Sequence, residues 1–305
     1  MKVFFVVNAH SANGETGRRW PEIHAKGMRS LGEFHCAFTK RPMDAARLAR
    51  QALQEGYNCI AAVGGDGTLS EVVNGFFDEG EAIAPDACLA IVPRGTGCDF
   101  RRTLGWTLHL EEAFARIRLA KTVPVDVGLL ECEGMDGKPH SRYFINECSF
   151  GIAGEISKRA NETTKVLGGK ASFMLASLRT FFHYADKEIE FCLDGGAPAR
   201  WPITALTVAN GAYFGGGMKV APEADIADGR LNITLWTAYK LSDFIWKNRS
   251  IYSGTHTRLS RTHQYTCREL TARSTQEVLI DCDGEQPGRL PCTIRMLPQA
   301  IRLCV

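Results

Sequence analysis

The stretch Gly64-Gly65-Asp66-Gly67-Thr68-Leu69-Ser70 constrains this chain more than any other. It follows Cys59-Ile60-Ala61-Ala62-Val63, an apolar run of the length of a buried strand. It leads into Leu69 to Phe77, where Leu69, Val72, Val73, Phe76 and Phe77 recur near helical spacing. A strand that stops at paired glycines and turns into a helix gathers backbone N–H groups and a positive dipole end at one point. That combination favours a phosphate. Asp66 brings a carboxylate, which repels phosphate unless Mg²⁺ or a transferable proton lies between them. The competing reading is a tight turn, with Gly for positive φ and Asp for an Asx-turn.

The first third of the chain repeats this strand-to-loop pattern. Lys2 to Val7 reads as a strand closed by Asn8, Phe34 to Thr39 as another, and Leu89 to Pro93 as a third. The last runs into Arg94-Gly95-Thr96-Gly97-Cys98-Asp99-Phe100. Helices are expected over Pro21–Leu31, Asp44–Glu55 and His109–Ala120. Strands alternating with helices predict parallel βαβ units, whose ligands sit at the carboxyl ends of the strands. Asn8, Thr39, the Gly64 loop and the Gly95 loop all fall there and converge on one crevice.

From about Val123 the texture changes to short strand-like runs separated by turns such as Asp136-Gly137 and Asp194-Gly195-Gly196. Strands are expected over Arg142–Glu147, Ile203–Ala209, Cys267–Thr271 and Glu277–Cys282, among others. The expected organisation is an α/β domain over 1–127, an antiparallel β-sandwich over 128–289, and a segment over 290–305 returning to the first domain. Two acidic stretches stand out in the second domain. Pro222 to Leu231 carries Asp225, Asp228 and Arg230 in a short loop, and Asp with backbone carbonyls there suits a hard cation such as Mg²⁺. A solvated surface turn is the alternative. Asp281-Cys282-Asp283-Gly284-Glu285 ends a strand, and in extended geometry Asp283 and Glu285 point to one side. A carboxylate near a Mg²⁺-bound phosphate can take the proton of an attacking hydroxyl. A plain Asp-Gly turn is the alternative.

Composition adds boundaries. A net charge of +2 argues neither for nor against nucleic acid, and no nucleic-acid partner is expected. The eleven cysteines never fall as CxxC, which argues against a zinc site or disulfide framework and for a reducing cytosol. Neither a signal-like start nor a run of about 20 apolar residues is present, so a cytoplasmic protein is expected.

Read together, these residues resemble the diacylglycerol kinase catalytic family, in particular the soluble bacterial lipid kinases. The resemblance rests on Gly64-Gly65-Asp66-Gly67-Thr68 with Glu71 and Asn74, and on Pro93-Arg94-Gly95-Thr96-Gly97 with Asp99-Phe100. Val208-Ala209-Asn210-Gly211, the Gly215 to Pro222 stretch and Asp283-Gly284-Glu285 follow in the family's order. It implies a two-domain NAD kinase/diacylglycerol kinase-like fold with the active site in the cleft between domains, and transfer of the γ-phosphoryl of ATP to a lipid hydroxyl. By position, Asn8, Thr39, Gly64, Gly65, Asp66, Gly67, Thr68, Leu69, Ser70, Gly95 and Thr96 fall at the nucleotide. The resemblance also places Asp225, Asp228 and Arg230 in a structural Mg²⁺ loop, and makes Glu285 the proton acceptor with Asp283 beside it. Asp66 holds the catalytic Mg²⁺ or acts as base. Two positions depart from the pattern: Ala9 replaces the proline after Asn8, and Cys98 replaces an asparagine before Asp99.

The default acceptor is diacylglycerol, with ceramide or a sphingoid base second, a soluble NAD kinase-like substrate third, and a non-catalytic nucleotide- or membrane-binding protein last. Phe173 to Tyr184, edged by Lys170, Arg179 and His183, is apolar enough to lie at a membrane interface or line an acyl-chain groove. An internal helix is its alternative. Arg249, Arg258, Arg261, His263, Arg268 and Arg273 supply positive charge that suits peripheral contact with an anionic membrane surface at the inner face; an ordinary solvated face is the alternative. Homodimerisation is left open.

Overall fold

The structure, a computed structural model, describes residues 1–162, 180 and 184–305. The chain divides into two units, Met1–Val127 with Pro298–Val305, and Gly128–Leu297. It crosses from one to the other twice.

The first unit runs β1 (Val3–Val7), a helical turn α1 (Glu15–Arg18), α2 (Trp20–Leu31), β2 (His35–Phe38), α3 (Asp44–Gln54), β3 (Cys59–Gly64) and α4 (Asp66–Asn74). A small hairpin of β4 (Phe77–Asp78) and β5 (Glu81–Ala82) follows, then β6 (Cys88–Pro93), α5 (Asp99–Thr103) and α6 (Leu110–Leu119). The strands lie parallel in the order β2-β1-β3-β6. Every residue of β3 and β6 is buried, as expected of parallel strands covered on both faces. The helices supply the cover: α3 buries Ala45, Leu48, Ala49, Ala52 and Leu53, an apolar stripe at helical spacing. A separate core, with α2 and α6, contains Phe5, Val7, Ile23, Ala61, Val63, Phe114 and Ile117. Helix α4 starts at Asp66, three residues before the expected Leu69, because its first turn is polar and carries no apolar signal.

β7 (Thr122–Gly134) carries the chain from the first unit into the second, followed by β8 (Pro139–Phe144), β9 (Glu147–Gly151), α7 (Ile152–Glu162), β10 (Lys187–Leu193), β11 (Ala199–Ile203), β12 (Ala205–Ala209) and β13 (Leu231–Trp236). Then come α8 (Leu241–Trp246), α9 (Asn248–Ser253), β14 (Thr262–Cys267), β15 (Glu269–Arg273), β16 (Leu279–Cys282) and β17 (Glu285–Cys304). Within this unit the strands pair antiparallel, in the runs β14-β13-β12-β9-β16-β17 and β11-β10-β15-β17. Phe144, Phe150, Ile189, Leu206, Ile233, Leu270, Ile280 and Ile294 share its core. The last residues of β17 rejoin the first unit, where Arg302 and Leu303 run parallel to Cys88 and Leu89 of β6.

Three expected strands are each broken in two, and aspartates account for two of the breaks. Between β8 and β9 the N–H groups of Ile145, Asn146 and Glu147 bond Asp283. Between β14 and β15 those of Arg268 and Glu269 bond Asp194 Oδ1, at 2.8 and 2.9 Å. A side-chain acceptor that takes a backbone donor removes it from the ladder. The third break, at Thr204, separates β11 from β12. Of the apolar Phe173 to Tyr184 stretch and its flanking Lys170, only Thr180 and Tyr184 are among the described residues; the interfacial expectation falls outside them.

Candidate functional site

Strand order fixes where the first unit can bind. The chain leaves β1 for β2 on one side and returns to β3 on the other, so a crevice opens at the carboxyl ends of β1 and β3. Asn8 follows β1 and the Gly64 loop follows β3. They are tied together, Asn8 Nδ2 donating to Thr68 Oγ1 at 3.0 Å. Thr39 continues β2, its N–H bonded to Val7 at 2.9 Å, and Arg94 continues β6, its N–H bonded to Gly64 at 2.6 Å. All four sequence-predicted loops thus stand at one edge of the parallel sheet. Ala9 leaves no slack, because Asn8 Oδ1 accepts the His10 N–H at 3.0 Å and the Ala9 carbonyl accepts that of Gly17 at 3.0 Å.

The glycines are there for contact. A Cβ on Gly64 would stand 2.3 Å from Thr68 Oγ1, and one on Gly95 would stand 2.4 Å from Gly65 Cα. The two loops touch backbone to backbone. Gly65, Asp66 and Gly67 reach the surface, whereas Thr68, Leu69 and Ser70 are buried. Any part Leu69 and Ser70 take in binding is therefore through the α4 backbone. Thr96 lies between Gly95 and Gly97 at the same edge. Cys98 holds the Gly95 loop: its Sγ accepts the Gly95 N–H at 3.1 Å, and burial beside Asp66 pushes its thiol up to about 11.

Asp66 Oδ1 accepts the Phe100 N–H at 3.2 Å and so joins the Gly64 loop to the start of α5. Its Oδ2 faces Gly97, as does Oδ2 of Asp99: a Cβ on Gly97 would meet them at 3.1 and 3.6 Å. Two carboxylate oxygens around a bare Cα form a donor set that fits a hard divalent cation. Asp99, buried and paired with Arg102 at 3.1 Å, is a site residue that sequence reasoning left in the motif without a role. Arg94 and Arg101 are two more. Arg101 lines a narrow pocket with Gly64, Gly65, Asp66 and Cys98. Among the described residues the Nε of each arginine is buried without a hydrogen-bond partner, although Arg94 also reaches Glu15 at 3.4 Å and Arg101 Nη1 donates to the Trp106 carbonyl. Guanidinium donors beside a glycine loop suit phosphate oxygens.

In the second unit Asp283 and Gly284 form the two-residue turn between β16 and β17, with φ of 50° and 88°. Positive φ at both positions marks the tight hairpin turn that Asp-Gly favours. The extended geometry expected for 283–285 is thus replaced by a turn. Buried Asp283 takes the N–H groups of Ile145, Asn146 and Glu147 at 3.1, 3.2 and 2.9 Å, two on Oδ1 and one on Oδ2. It is a clamp on β9, while Glu285, the first residue of β17, is exposed. Behind the turn lies a feature the sequence did not announce. Buried Glu147 and Asp281 lean on one another; burial and Asp281 push the Glu147 carboxyl well above its usual range, and burial raises Asp281 too. Ser157 donates to Asp281 at 2.7 Å and Ser149 to Glu147.

Asp225, Asp228 and Arg230 lie exposed in the loop before β13. Asp225 Oδ1 accepts the Ala227 N–H at 3.0 Å and Asp228 Oδ1 that of Arg230 at 2.9 Å. These turns leave backbone carbonyls and exposed carboxylates, oxygen donors that fit Mg²⁺. The basic series is partly neutralised, since Arg261 pairs with Asp243 and Arg273 with Glu190. Arg249 and Arg258 are exposed, as is Trp246 on α8, at 85%. No helix among the described residues is long and apolar enough to cross a membrane.

Comparison with known proteins agrees with this architecture. Residues 2–130 match the diacylglycerol kinase catalytic domain, and residues 146–305 match the YegS C-terminal NAD kinase beta sandwich-like domain. A Pectobacterium atrosepticum protein named "Probable lipid kinase YegS-like" is 29% identical over 299 residues, covering 97% of this chain and 93% of the relative. A diacylglycerol kinase of Staphylococcus carnosus is 25% identical over 286 residues, 94% and 89% of the two chains. The crystal structure of a diacylglycerol kinase from Bacillus anthracis superposes with a TM-score of 0.71 at 22% identity, covering 99% and 96%, and bears on the fold. The chain belongs to the bacterial diacylglycerol kinase-like family of YegS type, and it is a kinase.

Proposed function

We propose that this kinase transfers the γ-phosphoryl group of ATP to the hydroxyl of a membrane lipid, diacylglycerol first and ceramide or a sphingoid base second. A kinase of this family uses ATP and, in general, a divalent metal ion. The observation that carries the reading is the edge of the parallel sheet, where the touching Gly65 and Gly95 backbones lie beside Arg94, Arg101, Asp66 and Asp99. In this reading Asn8, Thr39, Gly64 to Ser70, Gly95 and Thr96 seat the nucleotide, with backbone N–H groups and guanidinium donors against its phosphates. Asp66 and Asp99 hold Mg²⁺, which supplies neutralisation of the developing phosphoryl charge. Asp228, with the main-chain carbonyls of Asp225 and Arg230, holds a structural Mg²⁺. Glu285 takes the proton of the lipid hydroxyl, because its carboxylate is exposed whereas that of Asp283 is committed to three backbone donors. Peripheral docking on an anionic membrane surface places Trp246 and Arg249 at the lipid headgroups.

The test offers γ-labelled ATP with diacylglycerol, ceramide, sphingosine, phosphatidylglycerol and NAD⁺, and resolves the products. Label in phosphatidic acid is expected; label only in NADP⁺, or in nothing, removes the lipid-kinase reading. Glu285→Gln should lower kcat by about 10²–10⁴-fold while ATP binding stays near wild type. Asp283→Asn should instead lower stability by about 1–3 kcal/mol, through loss of charge-assisted bonds to Ile145, Asn146 and Glu147. Near-normal turnover by Glu285→Gln would move the base to Asp66.

A further inference from the structure

At the end of the parallel sheet opposite the phosphate loops, three cysteines meet. Cys59 opens β3, Cys88 opens β6 beside it in register, and Cys304 ends β17 on the far side of β6. Their Sγ atoms all lie within 4.8 Å of one another, and those of Cys88 and Cys304 are 3.2 Å apart. All three are free thiols, no more than 4% exposed. Met1 adds a fourth sulfur, its Sδ 3.8 Å from Cys88 Sγ, and the Asn58 carbonyl oxygen is 3.4 Å from the same atom. Among the described residues this is the one group of three or more His, Cys, Asp or Glu side chains spaced to hold an ion together.

We propose that Cys59, Cys88 and Cys304 form a binding site for a thiophilic d¹⁰ cation, monovalent copper or Zn²⁺, with the Met1 thioether or the Asn58 carbonyl completing the shell. Free cysteines often pack simply as small apolar side chains. Three convergent sulfurs differ from that case in spacing and in kind. Metal–sulfur bonds of about 2.3 Å hold ligand sulfurs roughly 3.8–4.0 Å apart, within the compass of this cluster. A donor set of thiols and a thioether, with no carboxylate or imidazole, selects soft ions over Mg²⁺.

The five residue steps from Cys59 to Gly64 span roughly 17 Å, so a bound ion would be remote from the nucleotide crevice. Its place is structural. It would bridge β3, β6 and β17, tying the returning C-terminal strand to the sheet.

The full chain, reduced and metal-free, is titrated anaerobically with Cu(I) against a competing chelator and separately with Zn²⁺, following thiolate-to-metal charge-transfer absorption and thermal melting. Uptake of one ion per chain that raises the melting temperature, and is lost in Cys88→Ala and Cys304→Ala but kept in Cys192→Ala, is the expected result. No uptake by the wild-type chain, or uptake unchanged in the first two variants, overturns the site. X-ray absorption on the loaded wild-type protein is independent of how the variants fold. A first shell of sulfur is expected, and one made only of nitrogen and oxygen also overturns the site.

Discussion

Glu147 sits where two strands expose their backbone to carboxylates, and its environment makes a prediction about pH. Burial comes first and the adjacent Asp281 second, and both hold the Glu147 carboxyl well above its ordinary value of 4.5. A carboxyl whose folded value is raised binds more protons in the folded state. The stability it contributes is therefore full at low pH and is lost as pH rises above about 4.5. Denaturant unfolding at a series of pH values from about 5 to 8 should show wild-type stability declining as pH rises, and Glu147→Gln should flatten that decline. The pair was not legible in the sequence because Glu147 and Asp281 come from β9 and β16, which only the antiparallel pairing brings together. Asp283 was legible as a turn residue and as a functional acid alike. The structure gives the turn its tight positive-φ form and gives the acid three backbone donors.

Strands and loops of the first unit were far more readable, because parallel strands announce themselves as continuous apolar runs and their active loops follow by topology. Asn8, Thr39, Gly64 and Gly95 could be placed on one edge from alternation alone. What periodicity could not show is why Gly95 must be glycine. Its answer is the Gly65 backbone, 2.4 Å from where a Cβ would stand. Gly95→Ala should cost about 1–3 kcal/mol in denaturant unfolding and weaken nucleotide binding measured by calorimetry, since backbone cannot yield as a side chain does. Gly67→Ala is the control: a Cβ there meets nothing within 4 Å, and stability should hold or rise slightly. In the second unit the strands were visible but their breaks were not. An aspartate that takes a neighbour's N–H interrupts a strand without altering its apolar pattern. The cysteines make the same point about spacing. Sequence offsets rule out a CxxC knuckle, yet Cys88 and Cys304, 216 positions apart, are brought together by the strand that returns.

At the scale of the whole molecule, a lipid kinase has to meet its substrate at a surface. In the membrane docking proposed above, the contact would be made by exposed Trp246 on α8 with Arg249 and Tyr252 on α9, the last at 43% exposure. Trp246→Ala should weaken sedimentation with phosphatidylglycerol vesicles roughly tenfold, about 1.4 kcal/mol, while turnover of a short-chain monomeric acceptor stays near wild type. Equal losses on both substrates would assign Trp246 to the fold instead.

The returning strand also has a consequence in time. Pro298–Val305 belongs to the first unit but is synthesised after every residue of the second. On the ribosome, the hydrogen-bonding edge of β6, which ends at Pro93, waits for Arg302 and Leu303 through the making of the whole second unit and more, roughly 200 residues. An open, apolar strand edge is a template for wrong partners. The first unit, though first to emerge, is thus the last to be sealed, and a chain that stops just short of Pro298 has every residue of the second unit but an unsealed first one.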